Sequence, residues 1–276
     1  MPTATFEELA ARRPQDIDEA VRDLGALLGH FHREGDHRAV FLRAHYIVTV
    51  NLHAAVNGRP RKFFFDPQWV SKLAGKFASL YLESLDGRIQ LQIPAWKAAH
   101  AHAAKRDLSV AQDLLLGLNA HLNFDQPWGI YLNLVEHGDH KDHAELPRRK
   151  FDHDQMNNVF AASLPQLQQA LSRDYGELGP LDDLLSRYAL KHYRERVWWN
   201  AVTYISGRTE DELALMRAKL NFEAQLLANE LTAERSSLQR AVGAVLSRVR
   251  RKKWGELELE QTGGTPPLMS AAVSPY

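Results

Sequence analysis

The stretch AQDLLLGLNAHLNFDQPWGI, residues 111–130, decides how the chain is read. It opens as an apolar helix through Leu114, Leu115, Leu116 and Leu118, then sets His121 and Asp125 four residues apart. On a helix that spacing places both side chains on one face, one turn from each other. Gly117 precedes them by a turn on the same face, where a missing side chain lets a helix or ligand come close. Asn119 and Asn123 form a second pair at the same spacing. Gln126-Pro127 is expected to stop the helix, because proline restricts its predecessor and donates no backbone hydrogen bond.

A helix this apolar belongs in the interior, and buried polar groups need partners. Two readings stay open. Either the four polar side chains form a hydrogen-bonded network that fixes helix packing, or they form a site. In the second case His121 and Asp125 act as metal ligands, as in helical His-x-x-x-His zinc sites, or as an acid/base pair assisted by Asn123.

Working outward, the rest of the chain is helical too. Ile17, Val21, Leu24, Leu28 and Phe31 recur at helical spacing over 14–34, with Pro14 in a first-turn position and Gly35 closing the segment. Asp36 is placed to cap a helix over 37–56, in which His45, Thr49 and His53 share one stripe. Asp66 and Pro67 read as the cap and first residue of a helix over 67–85, which carries Tyr81 and Glu83 within reach of a pocket. Pro94 starts a short helix with Trp96 buried, and His100 and His102, two apart, point in different directions. The polar stretch EHGDHKDHAELPRRK, 136–150, interleaves His137, His140 and His143 with Asp139 and Asp142. It reads as a solvated loop, or as a lid beside the central segment.

A helix over 153–173 follows, capped by Asp152, with Asn157 on its first turns and Pro165 bending it. The next, over 181–206, carries His192, Arg194, Glu195 and Trp198. Arg194 and Trp198 at i, i+4 can stack, guanidinium on indole, unless Arg194 enters an interior facing His121 and clamps an anion. Thr209 and Glu212 form a capping pattern for a helix over 210–231. A last helix, 233–253, ends in a basic stretch, 248–254, which suits a helix C-terminus or, more weakly, an anionic membrane surface. The expected organisation is one all-α domain, 1–254, a bundle of about nine helices, followed by a flexible tail, 255–276.

Composition removes several function classes. Lys+Arg and Asp+Glu balance at 34 each, which argues against a general nucleic-acid binder. There is no cysteine, so disulfides, thiolate metal sites and cysteine nucleophiles are excluded together. No glycine-rich phosphate loop and no Gly-x-Ser-x-Gly occurs. The opening MPTATFEELAARRPQD has no apolar core of a signal peptide, and no stretch approaches 18 uninterrupted apolar residues. A cytoplasmic protein is expected.

The segment LLLGLNAHLNFDQPWGI resembles the signature, roughly LLLG-x-NAH-x-N-x-D, of a bacterial family catalogued as a domain of unknown function, family 5995. Matching pieces recur in order: FFFDPQWV at 63–70, FASLYL at 77–82, PAW at 94–96, Asp152 with Met156-Asn157, and Arg194 followed by Trp198 and Ala201. The resemblance spans about 45 to 205 and carries no activity with it. A more distant likeness, confined to His121 and Asp125, is to the zinc-dependent phospholipase C and P1 nuclease group. That likeness implies zinc held by a helical His-x-x-x-Asp.

Three functions follow as expectations. One is a zinc-assisted hydrolase of a phosphate or other ester, with His121 and Asp125 as ligands and His45, His192 or Glu195 completing the set. Another is a metal-free enzyme using His121 as acid/base, oriented by Asp125 or Asp152. The third is a non-catalytic helical ligand-binding protein. In each, a small molecule is the expected partner, and Asn119, Tyr81, Asp152, Asn157 and Arg194 are candidate contacts.

Overall fold

Why the helices begin where they do is largely a matter of caps. The computed structural model describes residues 4–58, 63–87, 93–142, 144–176, 187–206 and 209–233, and of 187–193 the backbone alone. A short helix α1, Phe6–Ala10, starts at Thr5, whose hydroxyl accepts from Glu8 N–H while the Glu8 carboxylate accepts from Thr5 N–H. Helix α2, Ile17–Glu34, is capped by Asp16 and ends at Gly35 in the left-handed region, φ 61°. It therefore starts three residues later than Pro14 indicates. Gln15 and Asp16 run over Gly75, in the helix Pro67–Leu85, so closely that a Cβ there would stand 2.5 Å from the Asp16 nitrogen.

Helix α3, Ala39–Asn57, has no side-chain cap. The Asp36 carboxylate instead accepts from the N–H and guanidinium of Arg38 at 2.8 and 2.6 Å, so Asp36 orders the approach to the helix rather than capping it. Helix α4, Pro67–Leu85, begins as its sequence indicates, with Asp66 accepting from Trp69 N–H at 3.0 Å and Pro67 in the first turn. Helix α5, Pro94–Lys105, buries Trp96.

Pro127 does not end the central helix. Helix α6, Val110–Ala120, passes into a π-turn, His121–Asp125, and directly into α7, Gln126–Glu136. The wider turn absorbs the proline: Gln126 N–H reaches back five residues to the His121 carbonyl, and Pro127 falls in the first turn of α7, where an N–H is dispensable. After a 3-10 turn at Asp139–Lys141, helix α8 runs Leu146–Tyr175 with Pro165 inside it. It starts seven residues before the expected 153, so Asp152 lies within the helix and is no cap for it. Its carboxylate caps the loop opposite, accepting from Phe65 and Asp66 N–H at 2.6 and 2.9 Å. The 136–142 segment is also less solvated than its polarity implies. Asp139 is buried and gripped by Arg149, which donates from Nε at 2.9 Å and Nη2 at 3.1 Å and also binds Asp66.

Helices α9, Arg187–Ile205, and α10, Glu210–Thr232, complete the described chain, the latter with the Thr209–Glu212 capping box. The helix expected after 233, the basic stretch 248–254, the tail 255–276, His143 and the His192 side chain lie outside the described residues. Counting α6 and α7 as the one rod they form, nine helical segments and no strand occur among the described residues. The architecture is an all-α bundle.

The rod is its axis. Helices α3, α5 and α10 pack on α6, while α4 and α9 pack on α7. Two apolar clusters result. One gathers α2, α3, α5 and α6 around residues such as Leu24, Phe41, Trp96 and Leu114. The other gathers α4, α7, α8 and α9 around Trp69, Ile130, Val159 and Trp198. Helix α3 is the one described helix long and apolar enough, by composition, to cross a membrane; here it is wrapped by α2, α6 and α8 as a core helix.

Candidate functional site

At the seam between the two clusters, the π-turn presents His121 and Asp125 to the interior. Nδ1 of His121 lies 3.2 Å from Oδ2 of Asp125, and the Asp125 side chain is wholly buried. Trp96 of α5 closes the far side: its indole N–H donates to Oδ1 at 3.1 Å and Oδ2 at 3.0 Å. The His121 ring stands 4.6 Å, centroid to centroid, from His45 of α3 and within 6 Å of Phe41 and Phe77. Tyr81 packs between His45 and Trp96 in the same aromatic group.

Burial governs the charge states. It raises the Asp125 carboxyl well above the usual carboxylate range, against the opposing pull of the Trp96 N–H. Burial, reinforced by the charge of Arg194, holds the His121 imidazole down to about 3. His45 is likewise held well below its ordinary value by burial and by His121. Burial thus disfavours charge on both partners and favours the neutral pair, with one proton between Oδ2 and Nδ1. A neutral carboxyl donating to Nδ1 leaves the ring hydrogen on Nε2.

His121 and His45 line a cleft with about 60 Å³ of free space between the two clusters. Its walls are mostly apolar, drawn from both clusters: Phe41, Leu118, Leu122 and Leu167 from one, Leu52, Phe77, Met156 and Val159 from the other. Polar groups are few: Thr49, Gln126, the two histidines and Arg194. Arg194 is 5% exposed, and its Nη1 donates to Gln126 Oε1 at 3.3 Å. Few, placed polar groups in an otherwise apolar cleft are the usual anatomy of a small-molecule site.

The structure brings together His121, Asp125, His45 and Arg194 among the residues singled out in the sequence. Arg194 takes the interior position rather than stacking on Trp198, whose indole packs instead on His153. Asn119 and Asn123 turn toward α10: Asn119 donates to the Ala224 carbonyl at 2.8 Å and accepts from Asn123 at 2.8 Å. Asp152 serves the 63–66 loop. Asn157 is half-buried on α8 beside, but not in, the cavity wall. Glu195 pairs with Lys150, and His53 with Asp18 at the surface.

Two residues of the site, and one buried histidine near Arg194, carry no such expectation. Trp96 was legible only as a buried indole, although a buried indole N–H regularly finds an acceptor. Gln126 was read as part of a helix stop. His153, fully buried on α8 and held down to about 3 by burial and by Arg194, had no distinguishing sequence feature.

No group of three His, Asp or Glu side chains among the described residues stands close enough to hold a metal. Both Asp125 oxygens face an indole N–H, and a guanidinium lies on the same cavity.

The model of a family of unknown function, DUF5995, matches residues 17–234. The chain belongs to this family. No curated protein and no solved structure matches it. The matched span contains the whole central rod and every residue of the cavity.

The buried histidines make a prediction about acid. His100, like His121 and His153, is held down to about 3 by burial. Between that value and about 6.5 the unfolded chain binds protons that the folded chain refuses. Each such histidine then weakens the fold by up to about 1.4 kcal/mol per pH unit as pH falls. Asp125, Asp152 and Asp113, the last raised to about 6, act in the opposite sense down to pH 4. Urea midpoints should therefore fall more steeply with each pH unit below 4 than between pH 6.5 and 4, where the carboxyls oppose the histidines. A stability maximum near pH 3.5 would show that the histidines are not neutral in the fold.

Proposed function

We propose that this chain is a metal-free enzyme that transfers a proton to or from a small, largely apolar molecule held in the cavity beside His121. The supporting observation is the chain of contacts Trp96–Asp125–His121. The indole fixes the carboxyl, the carboxyl fixes the Nδ1 edge of the imidazole, and the other edge, Nε2, is left for a ligand. In the neutral pair Nε2–H is a hydrogen-bond donor and a general acid. As Nε2 gives up its proton to a ligand oxygen or nitrogen, Nδ1 can take the proton of Asp125. The negative charge then rests on a carboxylate that already accepts the Trp96 N–H. The reverse sequence makes the pair a general base. The apolar walls exclude water and so keep the proton between His121 and the ligand.

The test compares wild type with His121→Phe, which keeps a ring of similar size but no nitrogen. Both are incubated with a bacterial small-molecule extract and the products followed by mass spectrometry. The expected result is at least one compound converted by wild type only, with a fall in conversion of about 10²-fold or more, while the variant stays folded. An extract that neither protein alters, but from which both retain a compound, would make the cavity a binding site without catalysis.

A further inference from the structure

Arg194 has more hydrogen-bonding capacity than the protein uses. Its side chain is 5% exposed and lines the cavity, yet only Nη1 has a partner, Gln126 Oε1. Nε and Nη2 are both buried without an acceptor. Those two nitrogens are the side-on edge of the guanidinium, whose parallel N–H bonds match the two oxygens of a carboxylate. No carboxylate among the described residues pairs with it. Asp154, the nearest source of negative charge felt by Arg194, is engaged by Lys150 at 2.6 Å and by His153. The other titratable neighbours, His121 and His153, are neutral.

A buried, hydrogen-bond-deficient cation is costly to keep, and the fold gains nothing visible from it. We propose that Arg194 anchors the carboxylate of the cavity's ligand, which makes the ligand class a monocarboxylate with an apolar body. This rests on the reading of the cavity as a ligand site. The rest of the wall supports the choice. Phe41, Phe77, Leu122, Met156 and Val159 offer contact to a hydrocarbon or aromatic body and nothing to a second charge. A phosphate monoester carries more charge than one guanidinium offsets, and the apolar wall supplies no second cation for it. With the carboxylate held at Arg194, the apolar body of the ligand lies along a wall that includes His121.

Decanoate is the probe, with 1-decanol as its uncharged counterpart and decyl phosphate as the alternative anion. Binding to the full chain is measured by calorimetry, and thermal unfolding is followed in parallel. Decanoate should bind wild type about ten- to a hundredfold more tightly than decanol. Arg194→Met should erase that preference and leave the melting temperature unchanged or raised. Arg194→Lys, which keeps the charge without the fork, should lose much of the preference. Equal affinity for decanoate and decanol in wild type, or a preference that survives Arg194→Met, would overturn the assignment. Tighter binding of decyl phosphate would overturn the carboxylate in favour of a phosphoryl group. Arg194-dependent decanoate binding with no conversion by wild type would leave this inference standing and remove the catalytic reading. Conversion unaffected by Arg194→Met would do the reverse.

Discussion

Trp96→Ala should lower the unfolding free energy by about 3–5 kcal/mol, and Trp96→Phe by about 1–3 kcal/mol. The difference separates two roles of one side chain. Alanine removes the whole ring from the group formed with Phe41, Tyr81 and the stacked His100, leaving a cavity beside them. Phenylalanine keeps most of the packing but deletes the N–H that faces both oxygens of a completely buried carboxyl. Nothing then opposes the burial that raises Asp125, so the carboxyl becomes harder to ionise and a poorer resting place for negative charge. Urea denaturation of the three proteins checks the first part. If Trp96→Phe matched wild type in stability and in any conversion that depends on His121, the indole would be packing alone.

Gly117→Ala should also be damaging, against its helix propensity. In a helix, alanine is preferred to glycine by about 1 kcal/mol, which by itself would stabilise. Here a Cβ would stand 2.5 Å from Phe41 Cβ and 2.6 Å from Cδ2. Phe41 has little freedom to retreat, since it is buried and in ring contact with His45, Tyr81, Trp96 and His121. Overpacking of about 1–3 kcal/mol or more should outweigh the propensity gain. Gly29→Ala is the control: its Cβ meets only the end of the Arg33 side chain at 3.5 Å, so it should be neutral or mildly stabilising. A Gly117→Ala protein with a raised melting temperature would refute the clash.

Much of this arrangement could be read from residue order, and the remainder fails for identifiable reasons. The helical period, Asp66-Pro67 and Thr209-x-x-Glu212 are local signals, and they place their elements correctly because caps act within four residues. The convergence of His121, Asp125, His45 and Arg194 was legible in part, since polar groups on apolar helices must meet something. Which ones meet depends on helix rotation, which the pattern does not encode. Asn119 and Asn123, adjacent to the pair in sequence, face α10. Asp152 looks like a cap in sequence and is one, but for backbone N–H groups 86 and 87 residues away. Pro127 misleads for a similar reason: its effect depends on the turn before it, and a π-turn leaves no distinct trace in composition.

That π-turn has a consequence for how the segment can vary. Within a helix, one surplus residue advances everything downstream by about 100° around the axis. The five residues from His121 to Asp125 thus set the phase of α7 relative to α6. In that phase Leu114 and Leu116 face one apolar cluster, Ile130 and Leu134 face the other, and Gln126 meets Arg194. A chain shortened by one residue here would regain ordinary helical geometry. It would also swing Ile130 and Leu134 out of their cluster and carry Gln126 away from the guanidinium. No side-chain replacement downstream could restore that alignment, so the length of this segment is constrained as tightly as the identity of His121 or Asp125.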